Sequence, residues 1–286
     1  MKENLLVSVS GGRTSMFMAI WIWQNWRHKY NIIFVFANTG AEHELTLKFV
    51  DYCAYIFNMN IVWVEALVHP DKGVGTRHTV VTYETASRNY EPFNAVVNKY
   101  GIANQSYPHC NRELKLAPIH SYASSYFGGK PYKNYKTAIG IRSDEFDRMH
   151  AKYKELNFIY PLISDLPTKK PEVLEFWKEQ VYDLEIPEHY GNCKVCHKKS
   201  DRKLATIARE QPQWFDQALQ WQNEKSRVGV KPDDKERKIF RSHKTVSDIF
   251  AISKDENFQI FEDGNFTGSL NELDVEQPCS LDCGIQ

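Results

Sequence analysis

The sequence predicts an α/β fold: a parallel sheet with helices on both faces, followed by a small α-rich C-terminal appendage. Three observations predict it. Short apolar runs typical of buried strands alternate with longer segments whose apolar residues recur at helical spacing. The first run ends in a Ser-Gly-Gly turn that opens straight into such a helical segment. At 286 residues, with 42% apolar and 25% charged content, the chain can bury one sizeable core and a smaller addition.

Leu5 to Val9 is the first strand, and Thr14 to Trp26 is the helix that follows it. Ile32 to Ala37 is a second buried strand, Glu44 to Phe57 a helix and Ile61 to Glu65 a third strand. Such a β-α-β-α-β run implies right-handed crossovers between parallel strands. Residues 70–108 are polar and irregular, the pattern of a loop laid over a sheet's carboxyl edge. A helix over Glu113 to Ser124 and a strand over Lys136 to Gly140 resume the alternation, and Pro161 and the Pro167 to Pro171 stretch interrupt it. Glu172 to Gln180 is again helical in period, so the sheet domain is expected to span residues 1–205. Residues 206–286 form the appendage. They read as a Trp-rich amphipathic helix over Gln211 to Lys225, a charged linker, a short helix over Thr245 to Ser253, a turn at Asp263-Gly264 and a polar tail.

Lys plus Arg equal Asp plus Glu, so no global field recruits nucleic acid or an anionic membrane. The N-terminus carries no signal-peptide pattern and no window holds 18 uninterrupted apolar residues, so a cytoplasmic location and no membrane partner are expected. In a reducing compartment the six cysteines are thiols or ligands before they are disulfides.

Ser8, Ser10, Gly11, Gly12, Thr14 and Ser15 surround the first strand-to-helix turn. Unpaired amides and the helix dipole favour an anion there, glycines let it approach the backbone, and hydroxyls add donors. The segment Ser10-Gly11-Gly12-Arg13-Thr14-Ser15 resembles the PP-loop of N-type ATP pyrophosphatases and of the phosphoadenylyl-sulfate (PAPS) reductase family. Further segments resemble that family's in the same order. They are Phe36-Ala37-Asn38-Thr39-Gly40-Ala41-Glu42, Cys110-Asn111-Arg112-Glu113-Leu114-Lys115-Leu116-Ala117-Pro118, Gly140-Ile141-Arg142-Ser143-Asp144-Glu145 and the Pro-Leu strand Tyr160-Pro161-Leu162-Ile163. The resemblance implies an adenine nucleotide alpha-hydrolase fold binding PAPS, adenylyl sulfate or ATP. It puts Asn38, Thr39 and Gly40 near the adenosine, and Gly140, Arg142 and Lys115 near phosphate or sulfate. Thr14 stands where ATP pyrophosphatases carry Asp, so a carboxylate that would help hold magnesium is missing. Arg142 suits an oxyanion because its guanidinium is a planar fork of donors, whereas the bland alternative is a salt bridge with Asp144 or Glu145.

Cys193-Lys194-Val195-Cys196 is a CxxC pair, able to grip one metal or cluster if two further ligands are supplied. The iron-sulfur adenylyl-sulfate reductases place a Cys-Cys pair at the start of the helix that here begins His109-Cys110. The resemblance therefore implies a site of Cys110, Cys193 and Cys196 with His109, or alternatively His197, holding zinc or a [4Fe-4S] cluster. Cys53, in a helical apolar stretch, is expected to be core.

The tail Leu281-Asp282-Cys283-Gly284-Ile285-Gln286 is similar to the Glu-Cys-Gly-Leu/Ile-His tail of the sulfonucleotide reductases, which makes Cys283 the nucleophile, with Arg142 assisting. Gln286 replaces the usual His, and Cys279, four residues before Cys283, offers either a resolving thiol or, with Cys283, a second pair of metal ligands. Three functions follow: a PAPS reductase-like oxidoreductase served by a thioredoxin-like reductant, an ATP-dependent sulfur-modifying transferase acting on nucleic acid, and a nucleotide-binding protein without catalysis. A homodimer is compatible with each.

Overall fold

The computed structural model describes residues 2–71 and 73–263. A six-stranded sheet is formed by β1 (Glu3–Val9), β2 (Tyr30–Ala37), β3 (Ile61–Leu67), β4 (Arg77–Val81), β5 (Lys136–Ala138) and β6 (Phe158–Ile159), in the order β4-β3-β2-β1-β5-β6. Every pairing is parallel except β3 with β4. After β1 the chain builds outward through β2 and β3, then returns to place β5 on β1's other side. The direction of winding therefore reverses at β1, the place where sheets of this kind form a crevice between the loops that leave the carboxyl ends of the two flanking strands, here β1 and β5.

Helix α1 (Arg13–Trp26) connects β1 to β2, and α2 (Glu44–Ile56) connects β2 to β3. Beyond β4 come α3 (Glu91–Tyr100) and a continuous helical stretch, in which α4 (His109–Asn111) passes through the π-helical turn Arg112–Leu116 into α5 (Ala117–Phe127). The short α6 (Pro161–Ser164) and α7 (Lys170–Lys178) follow the sheet, and α8 (Asp201–Glu210), α9 (Asp216–Lys225) and α10 (Val246–Lys254) make up the C-terminal region.

The period of two in β1 decides which face each residue covers. Leu5, Val7 and Val9 pack with Met16, Ile20, Leu47, Phe49 and Trp177, from α1, α2 and α7, on one face. Leu6 turns to the other face and joins Ile33, Val35, Ile119 and Ala123, the last two from α5. The expected α/β fold with helices on both faces is therefore present. A second apolar core unites Val97 of α3 with Leu204 and Ile207 of α8, Phe215, Trp221 of α9 and Ile249 of α10. Residue 205 falls inside α8, so the C-terminal helices share their interior with α3.

Two local expectations are corrected. Residues 70–108 contain β4 and α3, and β4 runs antiparallel at the sheet edge, which makes the sheet mixed. Its side chains are mostly exposed, so no apolar alternation announced it. Pro161-Leu162, read as a strand, begins α6, because a proline in the first helical turn gives up no hydrogen bond and has its φ preset. Among the described residues no helix is long and apolar enough to cross a membrane. The Asp263-Gly264 turn is described only as far as Asp263, and the tail cysteines Cys279 and Cys283 lie outside the described residues.

Candidate functional site

The crevice at β1 is built by backbone approach. Gly11 has φ +80°, and a Cβ there would stand 2.7 Å from the Thr46 side chain. A Cβ on Gly140 would meet the Ser15 Cα at 2.9 Å, so only glycine lets the loop after β5 close onto the start of α1. The first turn of α1 carries no acidic residue, and Gly12 at its N-cap contributes no side-chain hydrogen bond. Those amides and the positive end of the helix dipole face the crevice with no competing anion in that turn. Ser10 and Ser15 share a hydroxyl hydrogen bond of 2.8 Å, and the Ser10 amide donates to Ser15 Oγ at 3.0 Å, which fixes the loop's curl. Ser8 is buried within β1 itself.

Arg142 enters from the loop after β5. One amino group donates to Thr14 Oγ1 at 3.2 Å, while Nε donates to Asp144 Oδ1 at 2.9 Å and Glu145 lies at 3.3 Å. Burial works against the charge of Asp144, yet Arg142 outweighs it and holds that carboxyl below the usual range. The salt-bridge alternative for Arg142 is therefore the one present, and the same guanidinium also reaches Thr14 in the turn after β1. Arg13 is turned elsewhere. It forms a bidentate pair with Asp183 at 2.7 and 2.9 Å, and the buried Trp177 indole donates to the Arg13 carbonyl at 3.1 Å. Arg13 therefore braces the loop from behind, with two partners that the sequence did not flag.

The loop after β2 is a closed polar network. Asn38 is fully buried, and its amide donates to Glu65 Oε1 at 2.6 Å and to the Ser87 carbonyl at 2.8 Å, while its Oδ1 accepts from the Gly40 amide at 3.3 Å. The Thr39 hydroxyl donates to Glu42, whose carboxylate also accepts from the Thr39 and Ala41 amides. These side chains hold the strand end in shape.

Against this network sits the CxxC turn. Cys193 bridges to Glu42, and the Lys194 amide donates to the Ala41 carbonyl at 2.9 Å. Cys110, Cys193 and Cys196 border one cavity of about 50 Å³, together with Thr39, Lys115 and His197. The outer wall is aromatic: Phe93 stacks on Trp221 with centroids 4.8 Å apart, and the Trp221 indole is fixed by Asn94 at 2.7 Å. A single water needs about 10–15 Å³ by the same measure, so the cavity has room for a few waters or an ion and none for an adenosine nucleotide. Lys115, on the π-helical turn, is placed on the wall of this thiol cavity and not beside the turn after β1.

Desolvation and then Glu42 push the Cys193 thiol up to about 12, with Lys115 acting in the opposite direction. The Thr39 hydroxyl proton is committed to Glu42, so at the 3.6 Å contact the Cys193 thiol donates to Thr39 Oγ1. His109 does not border the cavity; its Nε2 donates to the Gly101 carbonyl at 3.1 Å, and burial pushes it down to about 4. His197 does border it, with an Nε2 that is buried and has no hydrogen-bond partner. As the side chains stand, no three His, Cys, Asp or Glu among the described residues are arranged to hold a metal ion. Cys53 is buried core, as expected.

No protein-family model matches the chain. It is 34% identical over 209 residues to a protein of Escherichia phage lambda described as the uncharacterized nin region protein ORF290, a match that covers 72% of this chain and 70% of the relative.

Proposed function

The chain belongs to the family of the phage lambda nin region protein ORF290, and we propose that it is a PAPS reductase-like enzyme of the cytoplasm that binds an adenosine nucleotide and carries out thiol-dependent sulfur chemistry. One observation carries the reading. The reversal of winding at β1 opens a crevice where the uncapped N-terminus of α1 and the Arg142 guanidinium converge on Thr14. The amides of the Gly11 to Ser15 turn would receive a phosphate, and Arg142, whose three guanidinium nitrogens are engaged by Asp144, Thr14 and Glu145, would exchange one of these partners for a second oxyanion of the same nucleotide.

Cys283 supplies the nucleophile in this scheme. Its thiolate attacks the sulfate sulfur, the S–O bond to the phosphate breaks, and the electron pair leaves with the nucleotide phosphate. The product is an S-sulfocysteine. A reduced dithiol of the thioredoxin kind then attacks the cysteine sulfur, releasing sulfite and becoming a disulfide with Cys283 that its second thiol resolves. Only the shape of the crevice supports binding, and only the tail sequence supports this step.

A second reading is favoured by a separate observation, three thiols around one cavity beside the loop after β2. There the chain would be an ATP-dependent sulfur-modifying transferase acting on nucleic acid with a Cys-ligated centre. Zinc or an iron-sulfur cluster at Cys110, Cys193 and Cys196 would supply a Lewis-acidic or sulfur-carrying site. The deciding experiment measures sulfite release from PAPS and from adenylyl sulfate by anaerobically purified protein with reduced thioredoxin, beside Cys283→Ser. Sulfite from the wild type alone is the expected result. Folded, nucleotide-binding protein that releases none from either substrate overturns the reductase reading in favour of the transferase.

A further inference from the structure

The cavity beneath the CxxC turn contains one polar atom that the fold leaves unanswered. His197 is 7% exposed and its Nε2 has no hydrogen-bond partner. A buried imidazole nitrogen without a partner carries the full cost of its lost hydration unless something in the cavity supplies what water did. Three thiols border the same space, from two parts of the chain that the fold brings together: Cys110 from α4, and Cys193 and Cys196 from the turn preceding α8.

We propose that Cys110, Cys193, Cys196 and His197 form a Cys3His site for a thiophilic divalent cation of the zinc class. The proposal deepens the second reading, the Cys-ligated centre, and rests on it only for the three thiols; it does not depend on the nucleotide crevice. Three sulfur donors and one neutral imidazole are a closed structural zinc set. The His197 ring borders the cavity with its buried Nε2 unpartnered, the atom whose lone pair a metal would take. His109 is set aside because its Nε2 proton is given to Gly101 and its ring does not border the cavity.

The backbone around the site is held before any ion arrives. The Lys194 amide is tied to Ala41, the Cys196 amide donates to the Cys193 carbonyl at 3.3 Å, and Ser200 caps α8 four residues after Cys196. Binding rotates the thiols inward from the cavity wall, and their protons pass to solvent as three S–H bonds give way to three metal–sulfur bonds. The resulting complex carries one net negative charge, and Lys115 and Lys198 border the same cavity to oppose it. Thr39 Oγ1, in contact with Cys193 Sγ at 3.6 Å, lies just outside the ligand set, where its hydroxyl would turn from Glu42 to donate to the metal-bound thiolate.

The test strips full-length protein with a chelator and titrates it with Co²⁺, followed by competition with Zn²⁺. One Co²⁺ per chain is expected, with thiolate-to-metal charge-transfer absorption and the intense d–d bands of a tetrahedral site. His197→Gln should weaken Co²⁺ binding at least about tenfold, and His109→Gln should leave affinity and spectrum unchanged. His197→Cys should restore tight binding and raise the charge-transfer intensity by about a third, because four thiolates replace three. If His197→Gln fails to fold by circular dichroism, the intensity change in His197→Cys decides alone. Wild-type affinity and spectrum in His197→Gln, or no increase in His197→Cys, overturns the proposal. So does wild-type protein that lacks thiolate absorption, or that is purified with iron and acid-labile sulfide in the site. Calorimetric titration of PAPS and ATP into the same preparations separates the readings: nucleotide binding lost with the cobalt spectrum intact would count against the crevice and leave the metal site standing.

Discussion

Two loops at the same sheet edge have opposite electrostatic characters. The turn after β1 presents amides and hydroxyls that favour negative charge, and a guanidinium already shared by Asp144 and Glu145. The cavity beside the loop after β2 is walled largely by aromatic and aliphatic side chains, with Lys115 and Lys198 among its borders, and its burial raises the cost of charging a thiol or imidazole inside it. There the Cys193 thiol is pushed up to about 12 and His197 down to about 3, both first of all by burial. One fold thus offers an anion a ready seat and, next door, keeps thiols protonated and imidazole neutral until something neutralises their cost. On the proposed function the first would bind substrate, and the proposed metal site would make the second a place to hold a cation that displaces protons.

The largest expected effect of this contrast is on acid stability. His197 sits at about 3 and His109 at about 4 in the folded protein, and His120, buried on α5 with Nδ1 2.9 Å from the Tyr135 hydroxyl, at about 4. Each has an unfolded value near 6.5. Because the folded values are lower, the unfolded chain binds more protons in between, and stability falls as pH drops below about 6.5 toward 4. Together the three should remove several kcal/mol, since each tenfold difference in proton affinity between the folded and unfolded chain is worth about 1.4 kcal/mol. Urea unfolding at pH 7.5 and pH 5 measures it, and His120→Gln should flatten the slope. A midpoint that does not move between those pH values would mean that the surroundings of these three histidines are wetter than their burial implies.

Next comes the reactivity of the cavity thiols. In chelator-treated protein at pH 8, Cys193 at about 12 instead of 9.0 is ionised about a thousandfold less than an ordinary thiol. The greater nucleophilicity of a more basic thiolate returns part of that, leaving a net slowdown of roughly 10- to 100-fold. Alkylation by iodoacetamide, followed site by site by mass spectrometry, should show Cys193 lagging far behind a thiol of an unfolded control. Equal rates would show that the cavity does not suppress ionisation.

On the crevice side, Arg142→Ala should weaken adenosine nucleotide binding about 10- to 50-fold, the value of a charge-assisted hydrogen-bond pair. Arg142→Lys should recover little, because Asp144, Glu145 and Thr14 hold a planar fork that an ammonium does not fill. Calorimetry reads both, and full recovery by lysine would reduce the contact to simple charge.

The sheet was legible because β1, β2 and β3 are buried on both faces and write continuous apolar runs. The antiparallel β4 was not, since its residues lie at a sheet edge, exposed or half-buried without a period. At the site, the Ser-Gly-Gly turn was visible because φ above zero and close approach demand glycine at Gly11, and the loop after β5 was visible because close backbone approach demands it at Gly140. The gathering of Cys110 with Cys193 and Cys196 was visible as spacing plus resemblance. Asn38 and Thr39 looked like ligand contacts, yet their polar atoms are consumed by Glu65, Ser87 and Glu42, partners supplied by other strands and loops. The same holds for Arg13, whose Asp183 lies 170 residues away. Single residues with long-range partners are where a linear reading runs out, because nothing in the local pattern distinguishes a donor aimed at a ligand from one aimed at a brace.

The smallest expected effect belongs to Lys115. Of the groups acting on the Cys193 thiol, burial, Glu42 and Cys196 favour the protonated form, whereas Lys115 opposes them across the cavity. The lysine stands on a π-helical turn, a widened stretch of helix often found where a side chain must reach a site. Replacing it with Gln keeps a polar side chain of similar reach and removes the cation, so Cys193 alkylation should slow a further two- to fivefold, about what a solvent-screened charge contributes. The pH profile should move upward by the same factor while Cys53, whose own thiol is pushed up to about 12 by burial within the first core, does not change. If Lys115→Gln leaves the Cys193 rate unaltered, the cation acts elsewhere. If it speeds the reaction, the lysine is shielding the thiol instead of charging it, and the electrostatic contrast between the two loops is carried by burial alone.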